Sequence, residues 1–582
     1  MIDVYATLVV ISVVILSFCF VVLKCVVLIY DLKFQRSHVQ FVNTVADILI
    51  DDGYDVVMLS NVVDERLVDV GSKRARRIVA PQTAETARLG VRGGRMNDVA
   101  WTANGFYQWY EKVNFNNIAN FLYSQCSSIL SNHHLMNRLR NEQFDAALVV
   151  NFDLCIYHIL NTVGIRNFGI IDSHSTIPQS FHFMSVPQSL SYVPGRFGRV
   201  MDSEMTLSNR LGNFVRQMFV DGILNYLGYI YERKLMTRFP YLDEISANAS
   251  YVFINRDPQI DFPTLTTHRI VDVGGMTMIT TNKSLHEDWS SIFDLRSKTV
   301  MISFGTIGNS ADMPNHFKQS LLQTFQAFPD VTFVWKYEKP AHNISRGIDN
   351  LIEVQWLPQK EMLADRRLSA FITHCGLSST YESMHAGVPI IAIPTISDQY
   401  RNALMFKRNG GGIVMDKEDL GNTKKMIAAV REILYNPEHT ASARRVASRL
   451  ASSPISSKEN FLRHFDFLVK FGPLHHLKHV GATQSFVQYY SIDVIAIILT
   501  TFIITTSIVV GSVYFITRKI VSVSSLLPLL LFSLTQSSWA NQNNPPLFDW
   551  RECYKFSCYV PGTCDGRIDK QLRLARSPKK DC

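Results

Sequence analysis

Phe371-Ile-Thr-His-Cys-Gly-Leu-Ser-Ser-Thr-Tyr-Glu-Ser-Met-His-Ala-Gly-Val-Pro-Ile-Ile-Ala-Ile-Pro-Thr-Ile-Ser-Asp-Gln399 is the stretch whose reading decides the fold. An apolar run, Ala370 to Thr373, ends in a Gly-containing turn. A helix is expected over Ser379 to His385 and a second apolar strand over Ile390 to Ile393. Strand, tight turn, helix and strand make a unit of a parallel α/β sheet. The turn leaves the first backbone N–H groups of the helix unpaired and gathers the positive end of its dipole, which makes it an anion site. His374 adds a donor for a phosphate oxygen. Glu382, one turn past Ser378 on the same face, offers a carboxylate to both hydroxyls of a ribose.

Outward from this unit the pattern repeats. Val300 to Ser303 and Val331 to Trp335 read as strands around a helix at Asn315 to Phe328, and Ile413 to Val414 as a short last strand. A similar series opens the chain. Val26 to Tyr30 reads as a buried strand, and Ser37 as an N-cap with Gln40 completing a capping box. Val42, Val45, Ala46 and Leu49 form the apolar face of a helix ended by Gly53, and Asp55 to Leu59 is the next strand. Two βαβ series predict two Rossmann-like, doubly wound domains facing a cleft, over 24–285 and 286–485, with a hinge in the polar stretch Thr280 to Lys298.

Composition agrees with a folded body. Of 582 residues 47% are hydrophobic and 19% charged, with 29 Gly and 21 Pro, which excludes disorder and low complexity for the bulk of the chain. The net charge is +8, but Thr517 to Cys582 holds ten Lys/Arg and five Asp/Glu, hence +5 of it. The remaining +3 on the body argues against a nucleic-acid partner. Four of the nine cysteines, Cys553, Cys558, Cys564 and Cys582, crowd the same end.

Two segments point to a membrane. Leu8 to Leu23 has the length of a signal-peptide core, so 1–23 reads as a cleavable signal or a retained anchor. Val494 to Ile516 is 23 residues without a charge, enough to span, followed by Arg518-Lys519, which places the body on the lumenal side. Three sequons, Asn248-Ala-Ser, Asn282-Lys-Ser and Asn343-Ile-Ser, suit that topology.

The 371–399 stretch resembles the signature of the UDP-glycosyltransferases, animal branch, nematode members in particular; Thr395 stands where that family usually has a larger apolar residue. Trp356-Leu-Pro-Gln359 is similar to the family's uracil-binding segment and Ser303-Phe-Gly-Thr306 to its diphosphate loop. Asp398-Gln399 is similar to the pair that bonds donor-sugar hydroxyls. Ser191-Tyr-Val-Pro194, Asp202-Ser-Glu-Met-Thr206, and Asp257 to Phe262 before Gly274-Gly275 resemble its acceptor-domain landmarks. The resemblance runs from about Lys24 to Ile520 and implies a GT-B fold with a C-terminal transmembrane helix. It implies an endoplasmic-reticulum enzyme, single-pass with a lumenal body, moving a hexose or hexuronate from a UDP-sugar to a small lipophilic acceptor with inversion. Oligomerisation is left open.

The donor-binding residues so implied are Ser303, Thr306, Trp356, Gln359, His374, Gly376, Ser378, Ser379, Glu382, Asp398 and Gln399. No metal or other cofactor is expected: there is no Asp-x-Asp triplet and no His-Glu-x-x-His. His38 stands where the family keeps its catalytic base, at a helix start whose dipole disfavours imidazolium. The base's carboxylate partner falls at Val150, which cannot serve, and Asp153 in Asn151-Phe-Asp-Leu-Cys155 is the nearest candidate. Without a partner His38 loses orientation, so a catalytically impaired UDP-sugar-binding or scaffold member is the alternative. A UDP-sugar epimerase is disfavoured by the anchor. Asp172-Ser-His174 reads as loop chemistry. Trp101, Phe106, Tyr107, Trp109, Tyr110 and Phe115 line an acceptor pocket or form core under loops.

The tail, 517–582, is atypical. A second apolar run, Val521 to Leu534, precedes Ser537-Ser-Trp-Ala540, a signal-like pattern, and the four cysteines suit a small disulfide unit. A join of two gene products is the expectation.

Overall fold

The computed structural model describes residues 24–84, 99–103, 115–175, 184, 186–195, 205–238, 241–278 and 285–539. The segment 1–23, Asn282, Asp202 to Glu204, the aromatics Phe106, Tyr107, Trp109 and Tyr110, and the cysteine-rich end lie outside them.

The first sheet collects seven strands: β1 (Val26–Lys33), β2 (Asp55–Val62), β3 (Arg76–Val79), β4 (Ala146–Val150), β5 (Phe168–Asp172), β6 (Val252–Ile254) and β7 (Ile270–Asp272). Their order is β3-β2-β1-β4-β5-β6-β7, and every pairing is parallel. The second sheet holds β8 (Lys298–Ser303), β9 (Val331–Lys336), β10 (Leu351–Val354), β11 (Leu368–Thr373), β12 (Ile390–Ala392) and β13 (Gly412–Val414), ordered β10-β9-β8-β11-β12-β13 and again all parallel. Both are doubly wound, and the strand order reverses between β1 and β4 and between β8 and β11. In such sheets the ligand crevice lies beyond the carboxyl ends of the strands at that reversal. Near-continuous apolar strands such as Val27-Leu-Ile-Tyr30 and Val300-Met-Ile302 are what burial on both faces requires.

Helix α1 (Arg36–Asp51) packs the predicted face, Val42, Val45, Ala46 and Leu49, on the first sheet. Its start corrects the sequence reading. The strand before it runs on to Lys33, Gln35 is extended and is the N-cap, and the first helical bond is Val39 N–H to the Gln35 carbonyl at 3.1 Å. Ser37 is therefore already inside the helix, and no side chain caps it. Helix α2 (Phe115–Ser131) is joined to the first residue of α3 (Cys155–Val163) by a Cys126–Cys155 disulfide, Cα–Cα 5.4 Å, which the sequence did not announce. The long α4 (Leu207–Lys234) follows.

Trp101 belongs to neither an acceptor pocket nor the first half's core. It is buried against Phe304 at 5.3 Å, and its indole N–H donates to the Asn309 carbonyl at 2.9 Å, inside the second half. That half carries α5 (Asn315–Gln326), α6 (Gln359–Ala364), α7 (Leu377–Ala386) and α8 (Gln399–Asn409). The chain then returns: α9 (Ser457–Phe471) buries Phe461, Phe465 and Leu468 with Val27, Ile29 and Phe253 on the first sheet.

The described residues from 485 on, 485–539, belong to a separate unit. Its helix α10 (Ile492–Trp539) is long and apolar enough over Ile492–Phe532 to cross a membrane, with an 18-residue stretch of mean hydropathy 2.4. Arg518, Lys519 and Pro528 all lie within this helix; Pro528 has no N–H and leaves one i→i−4 bond unmade.

Candidate active site

The strand reversals face one cavity of about 820 Å³. On the second half it is lined by Ser303 and Thr306 after β8, by Trp356 and Gln359 after β10, and by His374 and Gly376 after β11. Ser378, Ser379 and Glu382 on α7, and Asp398 and Gln399 at the start of α8, complete that wall. All eleven residues expected to hold a donor are thus brought together.

Gly376 is the N-cap of α7 and has no side chain to satisfy the first-turn N–H groups. A Cβ on Gly376 would stand 2.6 Å from His374 Nε2, and one on Gly305, which also has φ +82°, would stand 2.5 Å away. The two glycines therefore form the slot that holds the imidazole. Burial pushes the His374 pKa down to about 4, opposed by Asp398 and aided by Lys336, so the ring is neutral at pH 7. Gln359 Nε2 donates to Ser379 Oγ at 3.0 Å and to Glu382 Oε2 at 2.5 Å. Burial raises the Glu382 carboxyl, and that bond holds it down.

Gln399 is oriented by its neighbours. Its Oε1 accepts from the Thr395 N–H at 2.8 Å, the Ile396 N–H at 3.0 Å and the Thr395 hydroxyl at 2.8 Å. Two backbone donors require an oxygen there, which leaves the amide nitrogen as the group to meet a ligand. Thr395 is buried and adds the third bond; a larger apolar residue could not.

On the first half the cavity is lined by His38, by Phe34, Phe41, Phe152, Ile223 and Leu227, and by Asn151, Ser173 and His174. His38 Nδ1 is 2.5 Å from Ser173 Oγ, and its ring lies edge-on to His174 at 4.6 Å. His174 Nδ1 is 3.4 Å from the buried Asp172 carboxylate. The Asp172-Ser-His174 segment is therefore part of the site rather than loop filler, because β5 lies next to β4 and ends at the same cleft.

Asp153 is not brought to His38. It is buried, accepts from the Tyr30 hydroxyl, from Asn61 Nδ2 at 2.9 Å and from the Cys155 N–H at 3.0 Å, and so ties β1, β2 and α3 together beneath the cleft. Its expected role as partner of the base is corrected by that geometry: its lone pairs are spent on the core. Val150 is buried against α1.

Two cations were missed in the sequence. Arg36 lies 4.7 Å and Lys336 5.6 Å from the ring centroid of Trp356, which is half exposed. Lys336 also donates to the Gly305 carbonyl at 2.8 Å and to Glu338 at 2.9 Å. Its place at the carboxyl end of β9, beside the reversal, was the available signal.

Residues 25–525 match the family model described as UDP-glucoronosyl and UDP-glucosyl transferase. The chain belongs to the UDP-glycosyltransferase family. It is a glycosyltransferase, and its donor is a UDP-sugar. Among its relatives are the putative UDP-glucuronosyltransferase ugt-48 of Caenorhabditis elegans, 26% identical over 82% of this chain and 93% of that one, and UDP-glucosyltransferase 2 of Dactylopius coccus, 24% identical over 67% and 76%. A solved structure, Phytolacca americana UGT2 complexed with UDP-2fluoro-glucose and pterostilbene, superposes with a TM-score of 0.50 at 15% identity, covering 77% of this chain and 100% of that one. The fold of this UDP-glycosyltransferase is GT-B.

Proposed function

We propose that the enzyme moves a hexose or hexuronate from its UDP carrier to a hydroxyl of a small lipophilic acceptor, by in-line displacement with inversion. The carrying observation is that His38 and the eleven donor-side residues share one cavity whose first-half wall includes an apolar patch with Phe34, Phe41, Phe152, Ile223 and Leu227. In this reading Trp356 stacks on the uracil, Gln359 bonds its edge and Glu382 takes the ribose hydroxyls. Ser303, Thr306, His374 and the first turn of α7, with Ser378 and Ser379, hold the diphosphate. Asp398 and the Gln399 amide hold the sugar, and His38 takes the acceptor's proton as UDP leaves. Charge on the diphosphate is met by N–H groups and Lys336 rather than by a metal.

The setting we infer is the endoplasmic-reticulum membrane, with α10 as the anchor and the body in the lumen. The Cys126–Cys155 bridge suits an oxidising compartment, and Arg518-Lys519 suits the cytosolic side. One specific observation favours a second reading, an impaired donor-binding member: neither Val150 nor Asp153 offers His38 a carboxylate.

Microsomes carrying the protein, incubated with UDP-glucose or UDP-glucuronate and a panel of phenols and sterols, decide between them. Glycoside should form, and His38→Ala should lower kcat by on the order of 10² or more while UDP still binds. Binding of UDP with no glycoside from the wild type would establish the second reading.

A further inference from the structure

The reaction proposed above asks His38 to accept a proton at Nε2. That requires Nδ1 to carry the other proton and to donate it to a fixed acceptor, the part a carboxylate plays in such pairs. Here the strand end that would supply one has Val150, and Asp153 is committed to Tyr30, Asn61 and the Cys155 N–H. The atom that meets Nδ1 is the hydroxyl oxygen of Ser173, at 2.5 Å.

We propose that Ser173, at the end of β5, is the positioning residue of the His38 base, taking over from a different strand the orienting work that β4 leaves undone. The segment that carries the hydroxyl is well held. The Ser173 carbonyl accepts from Asn255 Nδ2 at 3.1 Å, the His174 N–H donates to Asp172 Oδ1 at 2.9 Å, and the neighbouring Ser175 Oγ accepts from Arg401 Nη1 at 2.9 Å. Three tethers on consecutive residues fix the backbone from which Oγ projects. His174 closes the other side of the His38 ring edge-on, with the Asp172 carboxylate behind it.

This inference rests on the proposed transfer reaction, and the test separates the two. Full-length wild type, His38→Ala, Ser173→Ala and Ser173→Thr are compared in microsomes for kcat, KM of donor and acceptor, and UDP affinity. Ser173→Ala is expected to lower kcat on the order of tenfold to a hundredfold, below the loss in His38→Ala, with KM and UDP affinity unchanged. Ser173→Thr, which keeps the hydroxyl, restores kcat. A wild-type kcat in Ser173→Ala overturns the inference, as does a parallel loss of kcat and UDP affinity in both Ser173 variants, which marks a merely structural loop. An active His38→Ala, or a wild type that makes no glycoside, instead overturns the transfer reading and the inference with it.

Discussion

His374 shows how burial sets the chemistry of one residue. Held between Gly305 and Gly376 and partly cut off from water, its imidazole titrates at about 4 instead of the ordinary 6.5. It is therefore a neutral imidazole across the physiological range, as the proposed diphosphate contact requires. The same shift is a stability term. Between pH 6.5 and 4 the unfolded chain binds a proton at this position and the folded chain does not, so the contribution is full above about 6.5 and is lost as pH falls towards 4. His158, also lowered to about 4 by burial, acts in the same direction. Glu382, raised by burial, acts in the opposite one. The difference between variants isolates His374: the thermal midpoint of His374→Asn should fall less than that of the wild type from pH 7 to 4.5. Parallel curves would show that the imidazole is not held neutral by the fold.

At the scale of elements, the decisive piece is the N-terminus of α7. Its strand, turn and helix were legible in the sequence because every residue needed lies within a few positions: an apolar run, a glycine that leaves the first N–H groups bare, then polar residues at one-turn spacing. What the sequence could not show is that Gly376 also makes room for His374 across the turn. Gly376→Ala places a Cβ 2.6 Å from His374 Nε2 and must displace the ring. Its UDP affinity should fall roughly tenfold, the loss of about one charge-assisted hydrogen bond, while the unfolding transition stays cooperative; calorimetric titration with UDP measures it. Helix starts were less legible. The Ser37–Gln40 capping signal was overridden because β1 carries on to Lys33 in register with Val62, so sheet pairing, a tertiary fact, set where α1 begins.

Across the whole of 24–484, the two sheets are held together by contacts that no local pattern contains. Arg401, on the helix that presents Gln399, is fully buried and pairs with Asp261 through both oxygens while also donating to Ser175. One guanidinium thus ties α8 of the second half to the segment carrying Ser173 and His174 in the first. Removing it leaves the Asp261 carboxylate buried without its counter-charge, at a cost of about 3–5 kcal/mol. Arg401→Leu should lower the midpoint of urea unfolding accordingly, and should weaken transfer more than UDP binding, since the base and the sugar would lose their common tether. Equal stability of variant and wild type would show that the pair is not the link. The return of α9 to the first sheet adds a second tie, through Phe461, Phe465 and Leu468.

By itself the amino-acid sequence determined the two parallel sheets and the family, and it picked out residues that line the cleft, His38 among them, because these are written in short-range patterns: period, glycine placement, and motifs that unite residues a turn or a loop apart. Only the tertiary structure decided what stands beside His38. Asp153 lies 115 positions and Ser173 135 positions from it, and nothing in spacing says which strand end comes to the base. The order β1-β4-β5 says so, and within it hydrogen-bonding demand chose: Asp153 was claimed by the buried hydroxyl and amide donors under the cleft, and the Ser173 hydroxyl, on the next strand, met the imidazole.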